Sequence, residues 1–342
     1  MTKKKRRKSR KNKHKKGLVS YAVIILLLLI IVGIPFLGSE SGKQFVSDLC
    51  EGKFFSIITY AGQSLVEETT EKEPQNTTVY GDIDTAAPCL GVDFIDVGQG
   101  DSALLKTPSG KFILVDAGPL DASGALLKTL ESKGVEEIEY LVLSHPHSDH
   151  IGGAREVLYE YKVNNIILPN APTNGSSFEK TLSAISVEKE QGCNVYSAAP
   201  GDLYEIDGCA LEIYGPLEID STNLNNCSVV MKVSYKEFSV LFTGDTESLA
   251  EKKLIAHGVD LSCDVLKVSH HGSSESTCGK FLDAAKPLLA VISCEAGNVY
   301  GHPHSEVLAR LDERNIPYFV TSQKGTVSVK SDGTGFVVQS EK

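Results

Sequence analysis

His145-Pro146-His147-Ser148-Asp149-His150, followed by Ile151-Gly152-Gly153, places three imidazoles and one carboxylate on one short stretch. The whole chain of 342 residues holds only nine histidines, so this clustering is not the pattern of a chance polar loop. Just before it, Tyr140-Leu141-Val142-Leu143-Ser144 is an apolar run that reads as a buried strand. Just after it, Ala154 to Tyr161 is compatible with a helix. The four polar side chains therefore sit on a turn where a strand gives way to a helix. Imidazole nitrogen and carboxylate oxygen both suit zinc, manganese or iron. Four such groups on one tight turn cannot all reach one ion without strain, but they can serve two adjacent ions.

Outward from this turn, strand and helix signals recur twice along the chain. Gly91 to Val97 reads as a strand, with a hairpin over Ala103 to Lys106 and Lys111 to Asp116 around Pro108-Ser109-Gly110. Ala122 to Lys133 and Phe178 to Gln191 read as helices, with a strand at Ile166 to Leu168 between them. Strands follow at Leu211 to Tyr214, Val229 to Tyr235 and Ser239 to Thr243. The second half alternates helices at Glu247 to His257, Gly279 to Ala285 and Glu306 to Arg314 with strands at Val265 to Ser269 and Leu289 to Ser293. It closes with strands near Tyr318 to Thr321 and Gly325 to Val329. Such a pattern predicts an α/β fold of two sheets packed face to face with helices outside.

Charge is distributed unevenly. Residues 1 to 16 contain eleven Lys or Arg and no acid; the net charge of −10 includes these, so residues 17 to 342 carry −21. That acidity disfavours tight nonspecific binding of a polyanion through the general surface. Leu18 to Leu37 has no charged residue and matches the hydrocarbon thickness of a bilayer. The expected organisation is a basic cytoplasmic tail over 1–17, a transmembrane anchor over 18–37, an extracytoplasmic linker over 38–88 and a hydrolase domain over 89–342. A cleaved signal peptide competes with the anchor, but no Ala-x-Ala-like site follows the apolar run. Within the linker, Glu67 to Pro88 reads as a flexible stalk. The basic tail beside a span is expected to meet anionic lipid headgroups. All eight cysteines lie beyond the apolar segment, and none forms a C-x-x-C pair, so a structural zinc knuckle is unsupported.

Four further segments end predicted strands with groups that suit metal chemistry. Leu241-Phe242-Thr243-Gly244-Asp245 exposes an acid on a glycine turn, and Asp245 can bridge two cations, although it could equally cap the next helix. Ser269-His270-His271-Gly272-Ser273 offers one ligand and one substrate-facing group. Tyr300-Gly301-His302-Pro303-His304 precedes a helix, near whose positive end anions bind. Asp96, Asp101 and Asp116 close the set; they end buried strands and are placed to orient histidines rather than to hold metal.

Together these motifs resemble the metallo-β-lactamase-fold hydrolases, through His145, His147, Asp149, His150, Asp245 and His270 in chain order. Asp96-Val97-Gly98-Gln99-Gly100-Asp101-Ser102, Asn225-Asn226, Ser269 to Ser273, and Asn298 with Gly301 to His304 are further similar to the extracellular hydrolase domain of the ComEC family of competence DNA-uptake channels. The subgroup also resembles the phosphorylcholine esterases of cell walls. The resemblance covers roughly residues 90 to 330. It implies a four-layer αββα sandwich and a metal-dependent hydrolase holding two divalent ions, Zn or Mn. His145 and His147 would serve one site, Asp149, His150 and His270 the other, with Asp245 between them. Asp149 would also take part in catalysis. His302, His304 and His271 would bind the substrate anion or protonate the leaving group.

The sequence departs from the family in two ways. One apolar segment is expected to stand in place of the channel-forming multi-helix domain, so no pore function is expected. Asn226 stands near the position where the wider superfamily has a further histidine, which puts full occupancy of the first site in question. The expected substrate is a phosphodiester, in DNA or a wall polymer. An ester, lactone or β-lactam hydrolase and a non-catalytic surface module are the alternatives. The acidic surface weakens the DNA version, which a local basic groove using Lys267, Lys324 and Arg310 could rescue.

Overall fold

A computed structural model describes residues 77–172 and 175–342. The basic tail, the apolar segment and the connector up to residue 76 lie outside the described residues. Among the described residues, no helix is long and apolar enough to cross a membrane.

The first part of the chain runs β1 (Thr78–Tyr80), β2 (Leu90–Phe94), β3 (Ala103–Lys106), β4 (Phe112–Val115), α1 (Ser123–Ser132), β5 (Glu137–Val142), α2 (Ser148–Ile151), α3 (Ala154–Glu160), β6 (Lys162–Leu168), α4 (Ser176–Glu190) and β7 (Asn194–Ser197). It continues with β8 (Leu203–Ile206), β9 (Cys209–Gly215), β10 (Val230–Tyr235), β11 (Phe238–Phe242), α5 (Ser248–His257), β12 (Val265–Lys267), α6 (Gly279–Ala285), β13 (Leu289–Ile292), α7 (Ser305–Asp312), β14 (Tyr318–Val320), α8 (Thr321–Lys324), β15 (Val327–Ser331) and β16 (Phe336–Ser340). One sheet has nine strands in the order β1-β16-β15-β2-β3-β4-β5-β6-β7; the other has seven, β14-β13-β12-β11-β10-β9-β8.

Period-two alternation in the strands separates three apolar layers. Leu105, Ile113 and Val115 point inward with Val233, Val240 and Val291 of the other sheet, forming the core between the sheets. Their neighbours Leu104, Phe112 and Leu114 face outward and pack with Leu126, Leu130, Val157 and Phe178 of the helices on that side. On the far side, Leu241, Leu266 and Ile292 pack with Leu254, Phe281 and Val307. The result is the expected mixed α/β fold of two sheets with helices on both outer faces.

Parallel pairings place the site. β4, β5 and β6 run parallel in one sheet, and β11, β12 and β13 in the other. Parallel strands joined by helices deliver their carboxyl-end loops to one rim, where open α/β sheets bind ligands. The loops after β4, β5, β11, β12 and β13 carry Asp116, the His145 turn, Asp245, His270-His271 and the 294–304 segment.

Two differences from the sequence reading have simple causes. β7 and β8 are edge strands with mostly exposed or half-buried residues, so no apolar alternation announces them. β1 falls inside the stretch read as a flexible stalk. It pairs with β16, and Tyr80 stacks on Phe336 with centroids 4.4 Å apart, so the folded part begins earlier than residue 89. The described cysteines, Cys89, Cys193, Cys209, Cys227, Cys263, Cys278 and Cys294, are all free thiols.

Candidate metal centre

The His145 turn is held from below by Asp116, a non-glycine residue at positive φ at the end of β4. Its carboxylate accepts from the Ser144 N–H and Ser144 hydroxyl, both at 2.7 Å, and from His150 Nδ1 at 2.8 Å. With its proton given to Asp116, the Ser144 hydroxyl accepts from His145 Nδ1 at 3.1 Å. Each imidazole thus has its Nδ1 engaged by protein, which leaves Nε2 as the nitrogen that faces the centre.

A second loop locks the turn from the side. Asp101 N–H donates to the Asp149 carbonyl at 3.1 Å. Gly100 sits at φ +150, and a Cβ there would come within 2.2 Å of that same carbonyl oxygen. The approach of Asp96-Val97-Gly98-Gln99-Gly100-Asp101 to the ligand turn therefore requires glycine.

The ligand-type atoms converge in two groups that share Asp245. His145 Nε2 lies 3.0 Å from His147 Nδ1 and 3.6 Å from Asp245 Oδ2. His150 Nε2 lies 3.1 Å from Asp245 Oδ1, and His271 Nε2 lies 3.6 Å from Asp245 Oδ2 and 3.2 Å from Asp149 Oδ2. In each of two sets, Asp101, His150, Asp245 and His271, and His145, His147 and Asp245, one ligand-type atom per residue lies within 4.8 Å of all the others.

The adjacent histidines take different places. Both have left-handed backbones, at φ 49 for His270 and φ 53 for His271, a strained conformation of the kind that collects at functional sites. His271 is buried, donates Nδ1 to the Ser293 carbonyl at 2.9 Å, and points Nε2 into the centre. His270 is 21% exposed; its Nε2 stays 3.8 Å from Asp245 and its Nδ1 faces Glu247 at 3.6 Å.

The remaining expected residues also separate. His304 has both nitrogens in use, accepting from Ser274 N–H at Nδ1 (2.9 Å) and donating to the Tyr300 carbonyl from Nε2 (3.1 Å). It pins two loops together. His302 keeps a buried Nδ1 without a hydrogen-bond partner. Asn226, at the position of the family's further histidine, accepts from Glu247 N–H and reaches toward Asp220. Its neighbour Asn225 has the buried carboxamide oxygen that lacks a partner. A cleft of about 380 Å³, lined in part by Asn226, Ser228, Thr246, Leu249 and Lys253, adjoins this side.

Of the expected basic groove, two members are consumed internally. Lys267 is buried on Asp101, with Nζ 2.7 Å from its carboxylate. Arg310 donates to the carbonyls of Ser274, Ser276 and Thr277. Lys324 sits over the Phe319 ring. Asp116 orients His150 as expected, whereas Asp101 stands in the donor group beside His271, and Asp96 accepts from Gly98 N–H in its own turn. The Lys267–Asp101 pair was not foreseen; a lysine inside an apolar strand was its one sequence signal.

The electrostatics suit cations. Burial alone would raise Asp245, but His150, His271 and His145 hold it well below the usual carboxylate range. Burial would lower His271, yet Asp245 and Asp101 push it up to about 10. His150 likewise rises well above its ordinary value against burial, through Asp245 and Asp116. Burial and the neighbouring His150 push His145 well below its ordinary value. Burial and the surrounding imidazoles lower His302 to about 4. Protons on His150 and His271 thus do what cations would do between these carboxylates. His150 Nε2 and Asp245 Oδ1 are buried and face each other at 3.1 Å as an ion pair. Mixed nitrogen and oxygen donors around a shared carboxylate fit two divalent ions.

The chain is similar to several known proteins. A family model described as the metallo-beta-lactamase superfamily matches residues 95–296. ComE operon protein 3 of Bacillus subtilis is 31% identical over 264 residues, covering 71% of this chain and 34% of its own length. Recombination protein 2 of Haemophilus influenzae is 31% identical over 247 residues, covering 71% of this chain and 29% of its own. The chain thus spans about a third of the length of these relatives. Among solved structures, the metallo-beta-lactamase fold protein YhfI from Bacillus subtilis aligns with a TM-score of 0.49 at 13% identity, covering 71% of this chain and all of that one.

Proposed function

The chain belongs to the metallo-beta-lactamase superfamily of metal-dependent hydrolases, and we propose that within it this protein is a phosphodiesterase, anchored through Leu18–Leu37 and acting outside the membrane. The observation that carries this reading is the pair of donor groups sharing Asp245, the arrangement of two-ion centres that cleave phosphodiesters. The names of the relatives, which concern competence and recombination, favour a nucleic acid over a wall polymer.

Zn or Mn bound here would supply Lewis-acid activation of water and charge neutralisation at the phosphoryl oxygens. His145 and His147 would hold one ion with Asp245. Asp149, His150 and His271 would hold the other with Asp245, so His271 takes the place expected of His270. Asp116, Ser144 and Ser293 fix the tautomers of His150, His145 and His271, and so the direction of their nitrogen lone pairs. Asp101, also in that donor group, is paired with Lys267 at 2.7 Å, which leaves Asp149 as the carboxylate beside His271. His270, at the mouth, faces substrate. His302, neutral near pH 7, offers a free Nδ1 that can hold or pass a proton at the leaving oxygen. His304 sets the loop that carries His302 rather than touching substrate.

The test is a substrate panel on full-length protein loaded with Mn or Zn. Bis-p-nitrophenyl phosphate and single-stranded DNA should be cleaved, and p-nitrophenyl phosphorylcholine and nitrocefin should be poor substrates. Preference for nitrocefin or a simple ester would replace the phosphodiesterase reading, and inertness toward all four would favour a non-catalytic module.

A further inference from the structure

Val299 and Tyr300 are the two most exposed large apolar side chains among the described residues, at 93% and 62%. They form the tip of the loop between Glu295 and His302, and this loop is held firmly. Asn298 Nδ2 donates to the carbonyls of Glu295 and His302, at 2.8 and 2.6 Å. Its Oδ1 accepts from the N–H groups of Tyr300 and His302. A pinned aromatic side chain presents a flat apolar face that loses little conformational freedom on binding.

The tip is continuous with the metal centre. The Tyr300 ring stacks on His302, with centroids 5.6 Å apart and planes 22° apart. His302 in turn lies 6.2 Å from the His271 ring, at 30°. A line of rings therefore leads from the buried donor group to solvent.

We propose that Tyr300, flanked by Val299, is a stacking platform for an unpaired base of a single-stranded nucleic acid whose phosphodiester lies over the metal centre. This rests on the phosphodiesterase reading and names its substrate class. Any base offers a π-face to a tyrosine, but only where it is not stacked inside a duplex. A quaternary ammonium would call for an enclosing aromatic cage, and here a single aromatic face stands beside an aliphatic side chain. The globular part is acidic and two candidate phosphate-binding cations are consumed internally, so stacking supplies affinity that surface charge does not.

The experiment compares two labelled strands of equal length, an oligothymidylate and its abasic counterpart, by fluorescence anisotropy with full-length protein in EDTA. The strands carry the same phosphates, so the charge contribution, including that of the basic tail, cancels in their ratio. Wild type should bind the base-bearing strand about tenfold more tightly. Tyr300→Ala should bring the ratio to near one, and Tyr300→Phe should keep it. An unchanged ratio in Tyr300→Ala, or a ratio of one in wild type, overturns the proposal. So does phosphorylcholine displacing the strand at lower concentration than thymidine monophosphate. Cleavage of the same strands in Mn is read separately: a Tyr300-dependent binding ratio with no cleavage would support the platform and remove the phosphodiesterase reading.

Discussion

His271 Nε2 lies 3.2 Å from Asp149 Oδ2, although 122 residues separate them in the chain. One comes from the loop after β12 and the other from the turn after β5, so the centre exists only where the rims of the two sheets meet. Ligand geometry and domain packing are therefore one property of this fold.

The placement of the adjacent histidines gives a direct expectation. His271→Ala should weaken Mn or Zn affinity by at least about 100-fold, more than loss of a supporting group costs. His270→Ala should cost much less in affinity and appear chiefly as a raised KM. Competition with a fluorescent chelator measures both, and the opposite ranking would return His270 to the ligand set.

Asp116 touches no ion in this account; it acts by aiming His150 and fixing Ser144. Asp116→Asn tolerates the positive φ and should fold, yet lower metal affinity by about 10- to 100-fold. Unchanged affinity in the same chelator titration would mean that His150 is oriented by other contacts.

Much of this was legible in the sequence, and the rest was hidden for physical reasons. The strand-to-helix turn at His145 announced itself because four ligand-type groups interrupt an apolar strand. Leu241 to Asp245 did so as well, since a buried run that ends in Gly-Asp must place the acid at a rim. Which of His270 and His271 points inward could not be read, because it depends on two consecutive left-handed residues and on the Ser293 carbonyl. The tethering of His304 depends on Ser274 and Tyr300 in loops that approach only after folding. β7 and β8 escaped because edge strands bury too little to alternate.

The buried pair Lys267 and Asp101 offers a stability test, with side chains only 4% and 8% exposed. Lys267→Met strips a buried carboxylate of its nearest cation, leaving His271 beside it, and should cost about 3–5 kcal/mol in urea unfolding with chelator present. Adding Asp101→Asn should recover a large part of that loss. A double variant as unstable as the single one would show that the pair acts through something other than charge.

Glu251, buried in α5, accepts from the N–H groups of Thr277 and Cys278, with Arg310 nearby. Burial outweighs these partners and pushes its carboxyl from 4.5 up to about 7. A folded pKa above the unfolded one means that its contribution to stability is present below about pH 4.5 and is lost as pH rises through about 7. Measured against Glu251→Gln across that window, the wild type should lose up to about 3 kcal/mol in unfolding free energy. A pH-independent difference between the two proteins would contradict this.

The most direct test of the shared-carboxylate centre is to count ions. Full-length protein reconstituted with Mn or Zn, freed of loose metal and analysed by native mass spectrometry, should carry two ions per chain. Asp245→Asn, which keeps the shape but removes the charge, should lose at least one. Two ions retained in Asp245→Asn, or none in wild type, would contradict the account.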